Sequence, residues 1–102
     1  MGLALLGDKL SAEQAAAWGL IWSCVDDADF TATIDQLAAQ LALAPTKALV
    51  RTRQAMRAGR LHTLEQQLDL ERDFMRELGN SDDYREGVSA FMEKRAPRYR
   101  GE

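Results

Sequence analysis

Ser81-Asp-Asp-Tyr-Arg-Glu-Gly-Val-Ser-Ala-Phe-Met-Glu-Lys-Arg-Ala-Pro-Arg-Tyr-Arg-Gly101 is the stretch in which cap, charge, apolar spacing and stop signal agree. Ser81 suits a helix N-cap, and Asp82, Asp83 and Glu86 fall in the first turns, where the macrodipole favours negative charge. The spacing predicts a helix from about residue 82, with Tyr84, Val88, Phe91 and Arg95 at i, i+4, i+7 and i+11 on one stripe. Pro97 marks its stop, because proline cannot continue the hydrogen-bond ladder. A basic tail follows, with Lys94, Arg95, Arg98 and Arg100 set against only Glu93 and Glu102.

Outward from that helix the chain reads as further helices. Thr63-x-x-Gln66 is a capping box opening the longest, about Leu64 to Leu78, which Gly79-Asn80 closes. Pro45 ends one helix and supplies the first turn of the next, which runs to Ala58 and stops at Gly59. Phe30, Ile34, Leu37, Ala38 and Leu41 recur at helical spacing and predict an amphipathic helix from about Phe30 to Leu43. Ser11-x-x-Gln14 is a capping box for a short helix, Ala12 to Ala17, closed by Gly19, and the apolar run Met1 to Leu6 reads as a helix end closed by Gly7. Leu20-Ile-Trp-Ser-Cys-Val25 is β-prone and bounded by Gly19 and Asp26-Asp27, so it reads as one short strand without a partner. The expected fold class is mainly α, with five to six helices and that one short strand.

At 102 residues the chain makes at most one small domain. It has 13 basic and 16 acidic residues, and a net charge of -3 argues against a general polyanion binder. The charges are unevenly spread: residues 45 to 62 hold five basic residues and no acid. That segment has no interleaved aromatic residue and no helix-turn-helix spacing, so nucleic acid is not an expected partner. No apolar run reaches membrane-spanning length and no charged leader is present, so no membrane contact is expected either. The single cysteine, Cys24, fits a reducing compartment and a cytoplasmic location.

Few residues suggest chemistry. His62 is the sole histidine and has no cysteine cluster to join, so no metal site is expected and the residue reads as a helix-entry loop position. Cys24 lies in an apolar run without a base nearby and reads as a buried structural thiol. Glu65, Asp69 and Asp73 follow one face with Arg72 and Arg76 interleaved, which is the pattern of a solvated helix surface. Glu71 shares the stripe of Leu64, Leu68, Met75 and Leu78, where a carboxylate requires a basic partner or an element to cap. Trp18 and Trp22 suit either a core or the wall of an acyl pocket. Phe91 and Lys94 make the best binding pair, because an aromatic ring and a cation at i, i+3 can stack on a purine and meet a phosphate. The plainer alternative makes Phe91 core and leaves Lys94 in solvent.

Asp83-x-x-Glu86-Gly87-x-x-Ala90-Phe91-x-x-Lys94-Arg95-x-Pro97-x-Tyr99-x-Gly101 resembles the C-terminal signature of the crotonase superfamily, the enoyl-CoA hydratases and isomerases. Gly7-Asp-Lys-Leu-Ser11-Ala12-Glu-Gln-Ala15-x-x-Trp18-Gly19-Leu20-Ile21 is similar to an upstream stretch of the same family. The runs Trp18 to Asp27 and Leu64 to Phe74 most resemble the branch that isomerises ring-acyl-CoA thioesters in phenylacetate degradation. The resemblance implies that residues 1–27 form the end of the crotonase core, residues 28–102 the C-terminal helical and oligomerisation region, and Met1 an internal methionine. It further implies an acyl-CoA thioester as substrate with no other cofactor, and self-association into trimers or hexamers. Phe91 and Lys94 would reach the adenine-phosphate end of CoA, in the site of a neighbouring subunit. No catalytic residue is expected within the chain, since the oxyanion amides and acid/base carboxylates of such enzymes belong to the rest of the fold. The rival expectation is a free-standing helical interaction module.

Overall fold

The computed structural model describes residues 2–102; Met1, and the expectation attached to it, lie outside them. Six helices follow in order: α1 Gly2–Leu6, α2 Ala12–Ala17, α3 Asp27–Ala42, α4 Thr46–Ala58, α5 Leu64–Gly79 and α6 Asp82–Met92. The chain divides into two units, one reaching to Gln36 and one running from Leu37 to Glu102.

In the first unit the caps act as their residue types dictate. Ser11 Oγ accepts the Gln14 N–H at 3.2 Å and starts α2. A Schellman motif ends it: Gly19, at φ +71°, donates to the Ala16 carbonyl at 3.0 Å, and Leu20 donates to the Ala15 carbonyl at 2.9 Å. The expected strand Leu20–Val25 does not form, and no strand occurs among the described residues. A strand is defined and held by hydrogen bonds to a second strand, and the described residues supply none. The run lies open instead, with Trp22 82% exposed and Cys24 exposed rather than buried. Helix α3 then starts at Asp27, earlier than the apolar spacing indicated, with Asp27 and Asp29 in its first turn.

The second unit is built on the antiparallel pair α4 and α5. Pro45 stands at the N-cap of α4, one position before its first turn. Gly59 closes α4 in right-handed backbone; its value is space, since a Cβ there would lie 3.3 Å from Gln67 Oε1. The Thr63–Gln66 capping box forms in both directions, at 3.3 and 3.0 Å. Arg51 ties the helices together, reaching Glu77 Oε1 at 2.8 Å and lying 4.9 Å from the centre of the Phe74 ring. Lys47 adds a second contact to Glu77 at 3.5 Å. Two of the five cations of the basic segment are thus engaged with α5. Glu71 finds neither a base nor an element to cap: it accepts from the Gln67 amide at 2.7 Å, one helical turn away. The expected solvated face is present, with Arg72 on Asp69 at 2.7 Å and Arg76 on Asp73 at 3.6 Å, all exposed.

Helix α6 turns an unexpected face inward. Tyr84 and Val88 stay 57% and 48% exposed, whereas Ala90 is 1% and Asp83 6% exposed. The reason is the tail, which returns along α6. The Asp83 carboxylate accepts the N–H groups of Arg100 at 2.7 Å and Gly101 at 2.9 Å, and the Asp83 N–H donates to the Glu102 carbonyl at 3.2 Å. Gly87 provides the clearance, since a Cβ there would lie 3.2 Å from the Tyr99 hydroxyl oxygen. Gly101, at φ +83°, lies against Thr46 at the start of α4.

Asp83→Ala should therefore cost more than an ordinary surface change. It strands two N–H donors of the tail, and a lost partner of this kind costs about 1–3 kcal/mol. Urea unfolding should show a loss of that order, smaller for Asp83→Asn, which keeps one acceptor oxygen; an unchanged midpoint for Asp83→Ala would contradict the assignment.

Candidate functional site

The C-terminal end of α6 brings together the residues with the best binding case. The helix stops at Met92, five positions before Pro97, and the stop is a Schellman motif. Lys94 donates its N–H to the Phe91 carbonyl at 3.3 Å and Arg95 donates to the Ala90 carbonyl at 3.0 Å. Lys94 occupies the position at which glycine is usual, at φ +54°, in left-handed backbone that costs an L residue about 1–2 kcal/mol. Among the described residues it is the one non-glycine residue with positive φ.

Tyr84, Val88 and Phe91 do share a face, and with Leu78 and Tyr99 they line an apolar groove of about 480 Å³. Arg95 leaves that stripe. Its guanidinium turns back to Glu86, with Nη2 3.0 Å from Oε2, while Nε meets Glu93 at 2.6 Å. Glu86 also accepts the Arg98 N–H at 2.8 Å. These contacts, the Arg95 guanidinium first and the Arg98 amide second, hold the Glu86 carboxyl down at about 2. Phe91 itself is 82% exposed, so the core alternative for its ring does not hold within this chain.

The remaining candidates stay apart. His62 is exposed between α4 and α5, with its N–H on the Ala58 carbonyl at 3.1 Å. Trp18 and Trp22 are 66% and 82% exposed, and Trp18 lines a cavity of about 580 Å³ with Leu3 and Leu6. Arg51 and Lys47 hold the Glu77 carboxyl below its ordinary range, and the Ser11 hydroxyl lowers that of Glu13. Both shifts come from local partners that stabilise the carboxylate form.

Against known families, residues 1–102 match the model for enoyl-CoA hydratase/isomerase throughout. The chain belongs to the enoyl-CoA hydratase/isomerase family. It is 55% identical over 101 residues to the 1,2-epoxyphenylacetyl-CoA isomerase of Escherichia coli, covering 99% of this chain and 38% of that protein. It is 35% identical over 100 residues to the 2,3-dehydroadipyl-CoA hydratase of the same organism, covering 97% and 39%. A crystal structure assigned as an enoyl-CoA hydratase/isomerase from Mycobacterium abscessus superposes with a TM-score of 0.92 at 31% identity, over 99% of this chain and 39% of that one. For an enoyl-CoA hydratase from Mycobacterium marinum the TM-score is 0.85 at 30% identity, over 98% and 40%. The chain thus spans about two-fifths of the length of these relatives. The resemblance to the enoyl-CoA hydratases and isomerases read from the two motifs is borne out.

Within the enoyl-CoA hydratase/isomerase signature, the structure gives most positions one task. Asp83, Glu86 and Gly87 on α6 and Arg95, Tyr99 and Gly101 in the tail hold helix and tail together. Reading Asp83 and Glu86 only as first-turn acids missed this. The available signal was the pairing of two acids at i, i+3 with a downstream tail rich in arginine.

Acid should loosen this contact. Since the Glu86 carboxyl is depressed from 4.5 to about 2 in the folded chain, its contribution is present above 4.5 and is lost as the pH falls from 4.5 toward 2. The ring resonances of Tyr99 should show a step toward the low end of that window, at about 2, in the native sequence and lose that step in Glu86→Gln. A step of the same size in both would show that Glu86 does not hold the tail.

Proposed function

We propose that this chain supplies the C-terminal helical region of an acyl-CoA hydratase or isomerase, with Phe91 and Lys94 as its contribution to the CoA site. The observation that carries this reading is the pair at the end of α6: a large aromatic ring 82% exposed, three residues from a lysine held at φ +54°. A ring left in water at a helix end gains by stacking on a flat apolar surface, and an adjacent ammonium suits a phosphate. An adenine nucleotide carries both features. The 55% identity to an epoxyphenylacetyl-CoA isomerase favours a ring-acyl-CoA thioester as the substrate, used without a further cofactor. In that enzyme residues 1–27 complete the core and residues 28–102 make the subunit contacts and part of the CoA site. The lone Cys24 fits the reducing cytoplasm, and no helix among the described residues is long and apolar enough to cross a membrane.

Self-association belongs to the same proposal. Leu61, Leu64, Met56 and Met75 are 91%, 76%, 73% and 73% exposed, more apolar side chain than one segment leaves uncovered. A family trimer, or a pair of trimers, would cover such faces. Sedimentation of the chain at high concentration should show a species larger than the monomer; a clean monomer would count against it.

Stacking and phosphate contacts act far from the thioester and hold ground state and transition state alike. In an enzyme of full family length carrying this segment, Phe91→Ala or Lys94→Ala should raise KM roughly fivefold or more, the scale of one base stack, with kcat little changed. Unchanged KM in both variants would remove the pair from the CoA site.

A further inference from the structure

Lys94 sits in backbone that an L residue leaves roughly five to thirty times more readily than it enters. The Schellman bonds on either side, at 3.3 and 3.0 Å, would serve glycine equally well. Something must hold a lysine there. Immediately after it, the Arg95 guanidinium is clamped by Glu86 through both terminal nitrogens, and three residues further the Arg98 N–H is bonded to the same carboxylate. Asp83 acts on Arg100 and Gly101, far enough along the tail to leave the turn itself free to rotate. Glu86 is thus the side chain on α6 that fixes the backbone next to Lys94. It also draws the neighbouring guanidinium onto α6, away from the exposed lysine.

We infer that Glu86 is a positioning residue: by clamping Arg95 and the Arg98 amide it keeps Lys94 in its left-handed turn, and so aims the lysine for CoA. This rests on the reading of Lys94 as a CoA contact. It separates the tail clasp into two parts, with Asp83 anchoring the end of the chain and Glu86 setting the direction of one cation. A merely structural Glu86 would affect stability without a selective effect on Lys94.

Two measurements test it. In the 102-residue chain, the one-bond Cα–Hα coupling and Cα shift of Lys94 should report positive φ, and Glu86→Ala should abolish that signature while α6 amides stay protected from exchange. Arg95→Met breaks the clamp from the other side without freeing a guanidinium, and should do the same. In an enzyme of full family length carrying this segment, both variants should raise KM for acyl-CoA about fivefold with kcat within about twofold, the cost of releasing a left-handed residue. Glu86→Ala combined with Lys94→Ala should be no worse than Lys94→Ala alone. Persistence of the left-handed signature in both variants overturns the inference, as do KM effects that multiply in the double variant. A raised KM in Lys94→Ala with none in Glu86→Ala or Arg95→Met defeats the inference alone; an unchanged KM in Lys94→Ala defeats the reading of Lys94 as a CoA contact and this inference together.

Discussion

Two carboxylates one helical turn apart hold this C-terminal unit in its form. Asp83 and Glu86 lie at i, i+3 on α6, and between them they receive three backbone N–H groups and one guanidinium from the tail. Without that capture the last residues would be a free, strongly basic end, since Lys94, Arg95, Arg98 and Arg100 face few acids in sequence. With it, the tail becomes a second layer on α6. The layer explains both the burial of Ala90 and the glycine at position 87, where any side chain would meet the Tyr99 ring.

The rest of the second unit follows a different principle. Helices α4 and α5 meet through a close approach at Gly59 and through the Arg51–Glu77–Phe74 contact, not through large buried aliphatics. No large side chain is fully buried among the described residues, while Leu61, Leu64, Phe91 and Met92 are strongly exposed. A chain with this pattern gains little from its own interior and has apolar area to offer elsewhere. That fits a segment spanning about two-fifths of its relatives' length.

The carboxyls with resolved shifts and the proposed binding pair are different residues. Each carboxyl with a resolved shift, Glu13, Glu77 and Glu86, is shifted downward by a hydroxyl, an arginine or an amide, which stabilises the anion and weakens it as a proton acceptor. The proposed pair rests instead on the exposed ring of Phe91 and on Lys94 in its left-handed turn. The division agrees with a family in which stabilisation of the thioester oxyanion depends on backbone amides that the resemblance places outside this segment.

Much of the fold was legible because helix caps and stops are local. Ser11, Ser81, the Thr63–Gln66 box, and Gly7 and Gly19 at φ +69° and +71° act within a turn of their own position, so residue type alone predicts them. Family membership was legible from a motif whose positions Asp83, Glu86, Gly87, Tyr99 and Gly101 take part in one contact in this chain. What that contact does was not legible. It joins residues up to nineteen positions apart, and nothing in the helical period of α6 distinguishes an acid that faces solvent from one that faces a returning tail. The tertiary structure also decided three local questions. The run Leu20–Val25 stays irregular because a strand needs a partner that no described residue provides. Cys24 is exposed with it. Helix α6 ends at Met92, well before its proline, in a Schellman turn with Lys94 in left-handed backbone, and the chain beyond it is bonded to Glu86.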